Sequence, residues 1–91
     1  MPDSTGGLDE LELAMLRAIA NWDLGPTHAG NRHALGMAAI EKVRLETGGA
    51  ADDWYRMKRR MPIAMESLVV GGYLDEDSGL PTPAGSALLA R

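Results

Sequence analysis

Cysteine is absent from the 91-residue chain. That excludes disulfides, thiolate metal sites and thiol chemistry, and it is compatible with a reducing cytoplasm, the expected compartment. No apolar run approaches the ~18 residues a membrane helix needs, so a membrane is not among the expected partners. The opening MPDSTGG has neither the basic nor the apolar segment of a signal peptide. Residues 1–7 are therefore expected to be a flexible N-terminus, with residues 8–91 forming one domain. Catalytic patterns are missing too. No nucleophile sits at a recognisable spacing from a base, and no glycine-rich loop is written to cradle phosphate. His28 and His33 are five apart, where two metal ligands on one helix face would be four apart. His28 reads instead as a hydrogen bonder within its turn. Neither an enzyme nor a cofactor is expected.

Aromatic residues are few: Trp22, Trp54, Tyr55 and Tyr73. The two tryptophans fall on apolar stripes and are expected in the core. Tyr55 lies off its stripe, as a half-exposed ring at the core's edge or a surface for stacking.

What is present is a chain of net charge −4 with an uneven distribution. Residues 1–23 carry five carboxylates against Arg17 alone, whereas seven of the nine basic residues fall between 32 and 60. Such a dipolar molecule can dock its basic side on an anion while acidic overall.

Apolar spacing of three and four residues, at Leu8, Leu11, Met15, Ile19 and Trp22, predicts a first helix over about residues 8–22. Gly25-Pro26 ends it, and the stretch GPTHAGN reads as a turn. A second helix is predicted from about His33 to Thr47, with Leu35, Ala39, Ile40 and Val43 inward and Gly48-Gly49 closing it. Gly36 weakens that helix by roughly 1 kcal/mol relative to alanine. Trp54, Met57, Met61, Met65 and Leu68 then share one helical face, but Pro62 would cost ~3 kcal/mol inside a helix. Helix is expected on both sides of Met61-Pro62, with a kink or break between. Residues 73–75 and 80–82 read as two hairpin arms around the turn at Asp77-Ser78-Gly79. Thr82 as N-cap and Pro83 as first helical residue start a closing helix.

Three helices, a two-stranded hairpin and a last helix follow the order of a winged helix-turn-helix domain, a mainly α class with a short wing. LELAMLRAIANWDLGPTHAG, MPIAMESLVVGGYL and LPTPAGSALL, in that order, resemble the first helix and turn, the recognition helix and the post-wing segment of the PadR family of bacterial transcriptional regulators. The resemblance covers most of residues 11–89. It implies a transcriptional regulator that binds duplex DNA through its third helix.

The residues themselves point the same way at one cluster. Arg56, Arg59 and Arg60 lie on the helix face away from Trp54, Met57 and Met61, and with Lys58 they form a basic stretch suited to phosphate or guanine edges. Arg32, Lys42 and Arg44 are expected to assist. The plainer reading is a solvated helix face, with Asp52 and Arg56 spaced for an ion pair worth ~0.3–0.5 kcal/mol. A domain this small reads few base pairs, which makes a homodimer on a two-fold site the expected working form. A second function competes. The outward positions after Pro62 are drawn from Ile63, Ala64, Glu66, Ser67 and Val70, poor material for reading bases. Ile63, Glu66 and Val70 suit a protein partner better, and the acidic turn Asp75, Glu76 and Asp77 would be repelled by phosphates.

Overall fold

A computed structural model describes residues 8–48, 51–75 and 77–90, without the side chains of residues 51 and 52. The expectations for residues 1–7, for Gly49 as a cap, for Glu76 in the acidic turn and for an Asp52–Arg56 pair lie outside that set. The order is helical throughout: α1 (Glu10–Asn21), α2 (Leu24–Thr27), α3 (Arg32–Thr47), α4 (Ala51–Val70) and α5 (Pro83–Leu89). No described helix is long and apolar enough to cross a membrane.

Helices α1, α3 and α5 start where the sequence supplies a side-chain cap. The Asp9 carboxylate accepts from the Glu12 amide at 2.8 Å, and the Asn31 side chain accepts from the Ala34 amide at 3.1 Å. Thr82 caps α5 by accepting from the Gly85 amide at 3.2 Å, with Pro83 following it. These side chains satisfy amides that have no partner inside the helix. Gly48 ends α3 in the left-handed conformation that glycine adopts without a steric penalty.

The core is the junction of α1, α3 and α4. Met15, Leu16 and Ile19 of α1 pack with Leu35 and Ile40 of α3 and with Met61, Met65 and Leu68 of α4, all essentially inaccessible to water. These are the stripes that the spacing predicts. Where α3 meets α4, Gly36 is a contact as well as a weak helix former. A Cβ there would lie 2.8 Å from Met65 Cγ and 2.9 Å from Met61 Cγ, so the missing side chain brings the two helices together.

Helix α4 shows no break at Met61-Pro62, because one helix runs from Ala51 to Val70 with Pro62 inside it. Pro62 is exposed, and so is Lys58, the residue whose carbonyl lacks its helical donor. Burial of Met61, Met65 and Leu68 stabilises by about 1.5–3 kcal/mol each, and together they exceed the ~3 kcal/mol cost of the proline. Continuity also moves residues between faces. Ala64 is buried and Ser67 half-buried, so neither is an outward position.

The wing is absent, and the winged helix-turn-helix assignment is corrected accordingly. Among the described residues no strand forms; Leu74 and Pro81 make one isolated antiparallel bridge. Three bonds close the loop: Asp75 N–H to Leu80 O at 2.9 Å, Gly79 N–H to Asp75 O at 2.7 Å and Thr82 N–H to Tyr73 O at 3.1 Å. Proline at 81 has no N–H to extend a ladder, and Gly79 turns left-handed and packs its backbone on Gly25 of α2. Tight turn chemistry is thus present without strand pairing.

Two smaller corrections concern the first turn. Leu24–Thr27 coils into one helical turn rather than an open turn, and its Leu24 carbonyl accepts from His28 Nδ1 at 2.9 Å, the local role expected of that histidine. Trp22 is not in the core. α1 ends at Asn21, which takes Trp22 off the helical stripe and leaves it 49% exposed.

Candidate functional site

At about 100° per residue, the inward side of α4 holds Met61, Ala64, Met65 and Leu68, and the opposite side holds Tyr55, Arg59, Ile63, Glu66 and Val70. Those five recur at steps of four, four, three and four, which stacks them as one row along the solvent side. Ile63 is 70% exposed, Val70 77% and Tyr55 59%. The Tyr55 ring meets Trp54 edge-on, with centroids 5.4 Å apart. The row stands as a ridge between two recesses. One, toward the start of α3, is lined by Arg32, His33, Pro62 and Glu66; the other, toward the start of α1, by Asp9, Glu12, Arg60 and Ile63.

The seven basic residues expected to hold DNA differ in their surroundings, and four of them make contacts within the chain. Arg60 turns back to α1, where its Nη2 pairs with Asp9 Oδ2 at 2.6 Å. Lys58 places its Nζ 5.2 Å from the centre of the Trp54 ring. On α3, Lys42 Nζ lies 4.4 Å from the Trp22 ring centre, while Trp22 Nε1 donates to Glu46 Oε1 at 2.7 Å. Arg44 Nη1 sits 3.5 Å from Glu41 Oε1. Arg32 is half-buried at the recess beside Pro62. Arg56 and Arg59 remain exposed on α4, with no carboxylate within ion-pair distance among the described residues. By contrast, Ile63, Glu66 and Val70 stand together on the ridge.

Two partners of these cations, Asp9 and Trp22, carry no signal of that role in the sequence, and Glu46 in turn holds the Trp22 indole. Asp9 and Arg60 are 51 positions apart, and sequence spacing carries no signal for a surface pair at that separation. The Lys42–Glu46 spacing on α3 does place both around a ring arriving from α1, which is a readable signal once the end of α1 is known.

The α1 start has its own electrostatics. Partial burial and the adjacent Asp9 carboxylate raise the Glu12 pKa above the usual carboxylate value, against smaller lowering effects from the Asp9 backbone and Arg60. A raised pKa means the folded state holds its proton more tightly than the unfolded chain. The resulting stability is present at acidic pH and is lost as pH rises through the folded pKa. Glu12→Gln is therefore expected to raise the melting temperature at neutral pH and to bring no gain in acid, once both states of the carboxyl are protonated. Melting curves of both proteins across that range check it; a gain of equal size at both ends would assign the effect to something other than titration.

Among the described residues no three His, Asp or Glu side chains are grouped to hold a metal ion. Comparison with family models, with curated proteins and with solved structures finds no match.

Proposed function

We propose that this domain is a protein-interaction module that docks through the outward ridge of α4. The observation that carries the reading is the exposure of Tyr55, Ile63 and Val70 along a single helix face, with Arg59 and Glu66 set between them. An amphipathic helix normally turns polar groups outward. Here large apolar groups alternate with charges of both signs, the composition of an interface with an apolar centre and a polar rim. Arg60, Lys42, Lys58 and Arg44 lie in intramolecular contacts, and Asp75 and Asp77 are exposed in the loop after α4. Both weigh against a phosphate-binding surface.

A second reading, duplex DNA binding in a transcriptional regulator, is favoured by one observation: Arg56 and Arg59 are exposed beside Tyr55. Action in the cytoplasm belongs to both proposals. A photo-cross-linking residue at Ile63, with Glu10 as the control position, separates them in a native lysate. Protein adducts at position 63 and none at position 10 are expected; nucleic-acid adducts at 63 would reverse the order of the two readings, and an absence of adducts would remove the first.

A further inference from the structure

Resting on the docking reading above, we propose that the occupant of the α4 ridge is a second copy of this chain, laid antiparallel across a two-fold axis between Pro62 and Ile63. A two-fold interface is self-complementary: whatever residue i meets, the residue it meets must in turn meet i. The ridge satisfies that condition. Around a midpoint between Pro62 and Ile63, Tyr55 falls opposite Val70 of the second copy, Arg59 opposite Glu66, and Ile63 opposite Pro62. Apolar groups meet apolar groups at the ends and centre, and each cation meets a carboxylate, twice per dimer. A parallel arrangement would instead set Arg59 on Arg59 and Glu66 on Glu66, and like charges in that position disfavour it.

Neither charge is engaged by another described residue in an ion pair. Arg59 and Glu66 are two helical turns apart, about 10 Å along the axis. The flanks leave room for a neighbour, because Tyr55, Pro62, Ile63, Glu66 and Val70 are all exposed and the core contacts lie on the opposite side of α4. The row from Tyr55 to Val70 extends about 22 Å. A single helix face of that length lies at the low end of specific interface sizes, below about 1,200 Å² in total. The dimer is accordingly weak and reversible, governed by concentration.

Sedimentation equilibrium from about 10 µM to about 1 mM tests it, using wild type, R59E, E66R and an equimolar mixture of the two variants. Wild type is expected to move from monomer toward dimer over that range. Each variant alone places like charges against one another and is expected to dissociate at least about tenfold more readily. The mixture is expected to recover wild-type association, because each contact then pairs opposite charges again. Both substitutions are at exposed positions, and circular dichroism of each variant verifies that the helices are intact. A wild type that stays monomeric at the highest concentration overturns the proposal. So does a dimer indifferent to both variants, or one lost in each variant and not regained on mixing. The cross-link at position 63 keeps the two readings apart: an adduct of twice the chain mass is the expected product, whereas a protein adduct of any other mass alone retains the docking surface and overturns self-association.

Discussion

Leu68→Ala is expected to lower the unfolding free energy by about 2–5 kcal/mol, a large part of the ~5–15 kcal/mol that a small domain possesses. Leu68 has no exposed surface and stands in the α4 row with Met61 and Met65. Its backbone carbonyl also accepts from the amides of Tyr73 and Leu74 where the chain leaves α4. Truncation removes transfer free energy and leaves a cavity that the surrounding helices fill only in part. The carbonyl contacts survive, so the loss belongs to the side chain. Urea unfolding checks this through a lower midpoint at an unchanged slope. Val70→Ala is the control two residues on: with 77% of its surface already in water, it is expected to change stability by less than about 0.5 kcal/mol. Equal midpoints for Leu68→Ala and wild type would show that the three-helix core is assigned wrongly.

The second large effect is expected at Gly25. Alanine favours helix over glycine by about 1 kcal/mol, and Gly25 lies in α2, so local propensity alone predicts stabilisation. Packing opposes it. An added Cβ would lie 2.5 Å from the Gly79 carbonyl carbon and nearer still to its oxygen. Both are backbone atoms, which cannot escape by changing rotamer. Overpacking of this kind costs about 1–3 kcal/mol or more, and a four-residue helix realises little of the propensity gain. Gly25→Ala is therefore expected to destabilise and to lift the loop after α4 off α2. Amide exchange localises the change: the Asp75 and Gly79 amides, which donate to Leu80 O and Asp75 O, should lose protection while Ile40 and Leu68 keep theirs. A raised melting temperature with protection intact would show that the loop moves aside at little cost.

Helices α1 and α3 were legible because their apolar residues recur at helical spacing, and two ends are written in the sequence: Thr82 starts α5 and Gly48 ends α3. Trp22 leaves the stripe that spacing predicts because α1 ends one residue before it. At Pro62 the helix continues, for a different reason, without the break that the sequence allows. A local cost of a few kcal/mol is visible in sequence, but the tertiary burial of Met61, Met65 and Leu68 that exceeds it is not. Likewise the segment from Tyr73 to Thr82 has turn residues that serve a hairpin and a packed loop equally. The Gly25–Gly79 contact decides between them, and it joins residues 54 positions apart. For the candidate site, Ile63, Glu66 and Val70 could be placed outward from spacing alone. The cation partners could not, since Asp9 and Trp22 reach Arg60 and Lys42 only through the packing of α1 on the other helices.

The single bridge between Leu74 and Pro81 also bears on how copies of this chain can meet. A two-stranded wing would present an outer edge of unpaired amides and carbonyls, a template onto which strands from other molecules add without limit. Among the described residues there is no such edge: the loop's backbone bonds turn inward, and its rim carries Asp75 and Asp77. The described residues therefore offer no strand edge from which open-ended, fibre-like growth through main-chain pairing could start. In the two-fold pairing proposed above, contact would fall to helix side chains, and such a pairing closes on itself after two copies.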